Sequence, residues 1–560
     1  ATVAIRKIQD KFKVLKDLQQ NIKDAGGTID ETSDAYLAEE LFHGKAENDL
    51  RLMRDQYVEP LAKKLAAFGI SHKDLDKYLY AKHAPERNRH IASINPPMQD
   101  GGSGMTNAEA AQILVDVRAS GKQSEYDQVA QIVYDMLQAQ RDMIRQGMLE
   151  DDGLVDAWEA KYRHYVPLKG WAEDTKDQGI PGTGKGFSVS GKESKRAMGR
   201  STEAASPSTY AIADLTKTLI RKRKNEVGNS FLELVEANPN KDYWQVFTDD
   251  NPETDRRIVK VTDPATGQKV DQVRETSVPM AMMTDRYFTT KKDGKTYYIK
   301  LEDKRLMKAM KNLGPESNNA LIRALGGINR VLSALNTSYA PEFVVSNFAR
   351  DIQSALLNLQ AEQSLDDGKA AGTKIALKTA KDTPKAMRAV HASLRGKRLR
   401  GGAAQWQAYF DEFREAGAKT GWFDMKDIDG QSKDLERLIT MAEGGFKGGL
   451  MRWMKNSAEV VENINASVEN AVRLSAYVNA RQAGISKSQA ASLAKNMTVN
   501  FNRRGELGTT MNALYMFANA STQGVAQFAR TMTTLKGDKK LKWSNLNNAQ
   551  RIAIGLVAGS

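Results

Sequence analysis

Apolar residues recur every three or four positions through the first third of the chain. Ile5, Ile8, Phe12, Leu15 and Ile22 form one such stripe, and Gly26-Gly27 ends it. Residues 33–68 repeat the pattern, with Leu50, Met53, Tyr57, Leu61, Leu65 and Phe68 on one face. Gly69 stops that helix, and Ser71 supplies the N-cap for "SHKDLDKYLYAKHAPERN". Thr106 with Glu109 reads as a capping box before "AEAAQILVDVRA". "SEYDQVAQIVYDMLQAQRDMIRQG" adds another amphipathic helix. Short connections between these stripes predict a helical array of the bundle kind.

The period then changes twice. Residues 171–208 are rich in Gly, Ser and Lys, with few apolar anchors, and predict a long flexible loop. Helix resumes around Ile212–Ala237. In 243–302, "YWQVF", "RRIVKV", "KVDQVRE", "RYFTT" and "TYYIKL" read as short strands, with "DPATGQ" and "KKDGK" as hairpin turns. From Asp303 to about Thr534 the pattern is helical again. The predicted fold is therefore mostly α: multi-lobed helical bundles with a small inserted antiparallel β unit. Its expected units are an N-terminal helical domain (1–170), the loop (171–208), a helix with the β unit (209–302), a C-terminal helical domain (303–535), and a basic linker opening an apolar segment (536–560).

Composition narrows the chemistry. The 560 residues include no cysteine, which excludes thiolate catalysis, Cys-bound zinc, iron–sulfur centres and disulfides. Net charge is +13, from 82 Lys and Arg against 69 Asp and Glu, which fits either attraction to a polyanion or solubility alone. The basic residues concentrate in 369–400: Lys369, Lys374, Lys378, Lys381, Lys385, Arg388, Arg395, Lys397, Arg398 and Arg400 meet one acid, Asp382. Such a segment suits a phosphate backbone or an anionic membrane surface, or is a solvated helix face.

Other candidates fail on context. Gly179, Gly184 and Lys185 approach a P-loop, but Gly186 stands where Ser or Thr should hold Mg²⁺, and no strand precedes it. Of the six histidines, His83 and His90 lie near Glu86, with Pro85 expected to break any shared helix face. Glu462 and Glu469 share a helix face, but a di-metal bundle also wants Glu-x-x-His on a partner helix, and no such pair is expected. Glu469 and Arg473 read instead as an i,i+4 pair. No catalytic, metal or cofactor residue is expected, and the chain is not expected to be an enzyme.

"NTSYAPEFVVSNFARD" (336–351) is unusual. Pro341 presets a turn into a helix, Phe343, Val344 and Phe348 anchor it, and Asn347, Arg350 and Asp351 lie at its start. It reads as a structural latch, with "TVNFNRRGE" as its counterpart through Asn500, Asn502 and Arg503. The same phrases, with "LYAKHAPERN" (79–88), "YRHYVPLKGW" (162–171), "KKDGKTYYIKLEDKRL", "SVENAVRLSAY" and "MTVNFNRRGELGTTMNALYMFANASTQGVAQFAR" (497–530), resemble the large polyvalent protein-associated region of bacteriophage proteins, including internal virion proteins of short-tailed phages. The resemblance runs through most of the chain in order. It implies a protein packaged inside the capsid, ejected with the genome into the host envelope, and assembling as a homo-oligomer with other virion proteins as part of a conduit for DNA.

The alternatives are a nucleic-acid-binding virion protein that uses the basic stretch Lys374, Lys378, Lys381, Lys385, Arg388, Arg395, Lys397 and Arg398, or an enzyme of unread type in a larger polyvalent polypeptide. The apolar run at "RIAIGLVAGS" after "LKGDKKLKW" adds the expectation that the native chain continues apolar and inserts into the host membrane.

Overall fold

The computed structural model describes residues 10–170, 186–194, 197–262, 269–283, 285–311, 369–419, 428–444, 467 and 470–496. The architecture is mostly α, with a small antiparallel β unit. Helices α1 (Lys13–Asp24), α2 (Ala35–Met53), α3 (Glu59–Phe68), α4 (His72–Ile94), α5 (Asn107–Ala119), α6 (Gln123–Gln146) and α7 (Asp152–Lys161) precede α8 (Pro207–Ala237). Five strands follow: β1 (Trp244–Thr248), β2 (Thr254–Thr262), β3 (Lys269–Ser277), β4 (Tyr287–Lys292) and β5 (Lys295–Leu301). Then come α9 (Lys304–Lys311), α10 (Lys369–Leu394), α11 (Gly402–Glu415), α12 (Ile428–Glu443), α13 (470–482) and α14 (Lys487–Asn496).

Local chemistry sets the helix ends. The Ser71 side chain accepts from Asp74 N–H, and Thr106 with Glu109 forms the full capping box. Gly69 ends α3 with φ of 59°, a left-handed position that suits glycine. Between α2 and α3 the helix does not stop. It widens into a π-turn over Arg54–Val58, where Glu59 N–H reaches back to Arg54 O. Pro60 follows in the first turn of α3 and has no N–H to continue the ordinary ladder.

Pro85 does not interrupt α4, contrary to expectation: the helix runs unbroken through it. Proline removes one hydrogen bond. Leu79 and Ala81 before it, and Asn88 and Ile91 after it, are all fully buried, so both halves are held by the same surroundings.

Strands β1, β5 and β4 form a sheet in that order, with Trp244 opposite Leu301 and Tyr287 opposite Lys300. Strands β2 and β3 form a separate two-stranded ribbon. The 31 residues of α8, about 46 Å at 1.5 Å each, join the helices to the sheet. One core gathers Leu61, Leu65, Leu79, Val133 and Met136 around Leu215 and Leu219 of α8, with Leu435 and Ile439 of α12. A second packs Phe12, Phe42 and Phe187 with Phe231 of α8, Phe288 and Ile299. A third sets Leu37 and Leu41 of α2 against Val390, Phe410, Phe413, Leu474 and Tyr477. Packing thus joins stretches that the sequence placed in separate units. Helix α2 and the last described helix, α14, are tied by hydrogen bonds: Glu40 accepts from Ser492 Oγ at 2.6 Å and from Asn496 Nδ2 at 2.7 Å.

The loop expectation for 171–208 needs correction in its described part. Phe187 and Val189 are fully buried, Phe187 N–H donates to Met310 O, and Val189 N–H donates to Thr289 O. The two apolar residues in "GFSVS" anchor a segment whose composition otherwise reads as a linker. Helix α8 also begins at Pro207, inside the expected loop, because Ser206 caps it and Pro207 takes its first position.

Candidate functional site: a cationic helix face

Helix α10 has two unlike sides. Thr379, Thr383, Ala386, Ala389 and Val390 are buried, and Val390 belongs to the third core with Phe410 and Leu474. Lys378, Lys381, Lys385 and Arg388 step by three, four and three residues along the opposite side, and all four are exposed. From Lys378 to Arg388 the row rises about 15 Å. Arg395, Lys397, Arg398 and Arg400 are exposed in the turn that follows, where Lys397 N–H closes onto Ala392 O. The side chains of Lys369 and Lys374 lie outside the described residues.

Neutralisation is slight. Lys385 pairs with Asp382 at 2.8 Å. Among the described residues, Lys378, Lys381, Arg388, Arg395, Lys397, Arg398 and Arg400 make no ion pair. Pro384 sits within α10. Just before it, Thr379 O accepts the hydroxyls of Thr383 at 2.7 Å and Ser475 at 2.8 Å, the second of which ties α10 to α13. The cationic row is thus carried on a helix pinned along its inner side. Such a surface can neutralise several phosphates at once and has no arrangement for bond-making chemistry.

The histidines come together in a way the sequence reading missed. With α4 unbroken, His83 and Glu86 lie one turn apart in its middle and meet His164 of the segment after α7. Glu86 Oε2 lies 3.5 Å from His83 Nδ1, Glu86 Oε1 lies 3.4 Å from His164 Nδ1, and Glu86 also accepts the backbone N–H groups of Arg163 and His164. His83 is fully buried between the edges of Tyr162 and Tyr165. Burial pushes the Glu86 carboxyl up, but the adjacent His83 ring and the His164 backbone N–H outweigh it and hold the group at about 2. Burial pushes both histidines below their ordinary range. His90 lies apart and meets Lys161 Nζ at 3.0 Å. Among the described residues no group of three or more His, Asp or Glu side chains is placed to hold a metal ion. The His83–Glu86–His164 cluster ties the segment after α7 to α4.

A second buried polar group lies on α8, within "IRKRKNEVGN", and went unread. Arg221 and Glu193 pair at 2.7 Å, with both side chains almost wholly buried. Lys291 and Glu150 meet at 3.3 Å, also buried. Asn225 donates to Gly147 O and Lys291 O and accepts from Lys291 N–H and Thr290 Oγ1. Burial, together with Arg221, pushes the Lys224 ammonium down to about 8. Consecutive cations inside a helix flanked by Leu219, Ile220, Val227 and Phe231 were the available signal.

The Glu-x-x-His spacing does occur once, as Glu40 and His43, but the Glu40 carboxylate is taken up by Ser492 and Asn496. The latch residues Asn347, Arg350, Asp351, Asn500, Asn502 and Arg503 lie outside the described residues. So do Gly179, Gly184, Lys185, Glu462, Glu469 and the segment 536–560. Among the described residues no helix is long and apolar enough to cross a membrane. No family profile, curated protein or solved structure matches this chain.

Proposed function

We propose that this chain is an internal virion protein of a bacteriophage, packaged with the genome and released with it toward the host envelope, and that it holds DNA through the cationic side of α10. The observation that carries the DNA contact is the exposed, nearly unneutralised row from Lys378 to Arg400 on a helix anchored by its opposite side. Phosphates are the chemistry such a row fits. It offers no pocket for reading a base and no nucleophile–base pair. The motif resemblance from "LYAKHAPERN" to "VAQFAR" supports the virion setting, in which homo-oligomers, other virion proteins, DNA and the host membrane are the partners.

Two measurements test it. Fluorescence anisotropy with a labelled duplex should give an affinity that falls steeply with salt and is indifferent to sequence. Lys378→Gln, Lys381→Gln and Arg388→Gln together should reduce the magnitude of the log–log slope by about 0.9 for each phosphate left unneutralised. An unchanged slope removes α10 from the proposal. Immunodetection in purified particles, before and after genome release, tests the setting. The chain should be present before release and depleted after it, and absence from both populations sinks the virion reading.

A further inference from the structure

Helix α4 carries Arg87 and Ile91 one turn apart on one face. Two glycine turns close over the Ile91 end of that face. A Cβ at Gly102 would stand 2.5 Å from Ile91 Cγ2, and one at Gly199 would stand 2.9 Å from the same atom and 2.6 Å from Met98 Sδ. Glycine lets the two backbones come this near. The turns are also tied to each other and to the helix. Arg200 N–H donates to Gly102 O at 3.0 Å, Ser103 N–H donates to Asn88 Oδ1 at 2.7 Å, and Asn95 Nδ2 donates to Met198 O at 3.1 Å.

One turn before Ile91 this cover gives way to a cavity of about 290 Å³, lined by the side chains of Arg87, Arg200, Leu168 and Met198. Glycine backbone at 102, 170 and 199 supplies much of the remaining wall. The charges in that wall are of one sign, and no acidic residue lines it. Among the described residues, the hydrogen bond that Arg87 makes is to the Tyr162 hydroxyl, at 3.5 Å. Arg200 donates to Thr202 O at 2.7 Å, Thr202 Oγ1 at 3.2 Å and Glu203 O at 2.8 Å. Those acceptors are neutral, so they aim the guanidinium and leave its charge uncompensated. Asp100, the acid nearest in sequence to the Gly102 turn, is taken up by Asn88 Nδ2 and by the N–H groups of Gly101 and Asn107.

We propose that this cavity binds a small organic phosphate, with the phosphate between Arg87 and Arg200 and the apolar body against Leu168 and Met198. Two uncompensated guanidinium groups match the charge of a phosphate monoester, about −1.5 to −2 near neutral pH. Each planar fork can take two of its oxygens. A lone carboxylate would satisfy one fork and leave the other charge standing. Met198 is 60% exposed and offers its thioether chain to a ligand at the mouth. The volume stands at the small end of ligand sites, which run from about 300 to 1,000 Å³, so the body of the ligand is short. The cavity shares no residue with the cationic row of α10, and its occupancy is independent of DNA binding there.

Isothermal titration calorimetry on the full chain tests this, with phenyl phosphate, inorganic phosphate and benzoate as the probes. Phenyl phosphate should bind at one site. It should bind roughly tenfold tighter than inorganic phosphate, which lacks the apolar body, and roughly tenfold tighter than benzoate, which lacks the second charge. Arg87→Gln and Arg200→Gln should each weaken phenyl phosphate by about tenfold or more, with circular dichroism and melting to confirm each fold. Arg200 also braces its own turn, so Arg200→Lys, which keeps the charge, should weaken binding less than Arg200→Gln. Met198→Ala should narrow the gap between phenyl phosphate and inorganic phosphate. Unchanged affinity in both glutamine variants, or no saturable binding at millimolar probe, would overturn the site. Benzoate binding as tightly as phenyl phosphate would overturn the phosphate assignment, and inorganic phosphate doing so would overturn the organic body. Duplex DNA that displaces phenyl phosphate from a chain carrying Lys378→Gln, Lys381→Gln and Arg388→Gln would assign the cavity to nucleic acid and overturn the small ligand.

Discussion

At the residue scale, the charges inside the molecule matter most. Arg221 and Glu193 are desolvated together, and the pair holds the described segment 186–194 against α8. Removing one partner leaves the other charge buried without full compensation. Glu193→Gln should therefore lower stability by about 3 kcal/mol, read as a shift in urea midpoint at unchanged slope. A shift below ~0.5 kcal/mol would mean that water reaches the pair. His83 gives a pH dependence of defined sign. Glu86, His164, Tyr162 and Tyr165 face it, with Arg87 near, and burial lowers the folded-state pKa of both His83 and His164 below 6.5. Their contribution is present above the unfolded value, and is lost as pH falls from about 6.5 toward the folded values. Glu86, held at about 2 in place of 4.5, adds a second loss only below pH 4.5. Melting temperature should fall between pH 7 and pH 5, and His83→Phe should flatten that slope. A slope unchanged in the variant would show that other groups drive it.

At the element scale, much was legible because its causes are local. The alternation in "RRIVKV" and "TYYIKL", and the Asp293-Gly294 turn after β4, specify strands and hairpins within a few residues. Ser71, Gly69 and the Thr106–Glu109 box mark helix ends the same way. What failed to read has non-local causes. The helix continues through Pro85 because residues on both sides of it are buried. Phe187 is a core residue because α9, more than a hundred residues later, places Met310 O within reach of its N–H. The exposed row on α10 was legible because ten cations meet one acid. The buried Arg221 of α8 was not, since its partner Glu193 lies in another segment. Gly228 shows how close α8 comes to β4: a Cβ there would stand 2.5 Å from Thr290 Oγ1. Alanine usually favours a helix over glycine by about 1 kcal/mol. At this site Gly228→Ala should instead destabilise by about 1–3 kcal/mol, measured by chemical denaturation. A stabilised variant would show that β4 yields readily.

At the scale of the whole molecule, the cores share their walls. Helix α8 contributes Leu215 and Leu219 to one core and Phe231 to another, and α2 contributes Phe42 to the second and Leu41 to the third. No core can open without stripping a helix from its neighbour. The described body should therefore unfold in one transition, with helical circular dichroism and tryptophan fluorescence changing together. Well-separated midpoints would show that the shared helices part from one core before the other.

The bond between Glu40 and Asn496 spans 456 positions of sequence. A ribosome adds roughly 5–20 residues per second, so Glu40 emerges roughly 20–90 s before its partner exists. Throughout that interval Leu37 and Leu41 lack the apolar surface of α13 and α14 that later covers them. Helix α2 thus waits for helices made hundreds of residues later. A nascent molecule stalled before α14 would present that uncovered side to its neighbours, and the cell's holding chaperones would have their longest opportunity there.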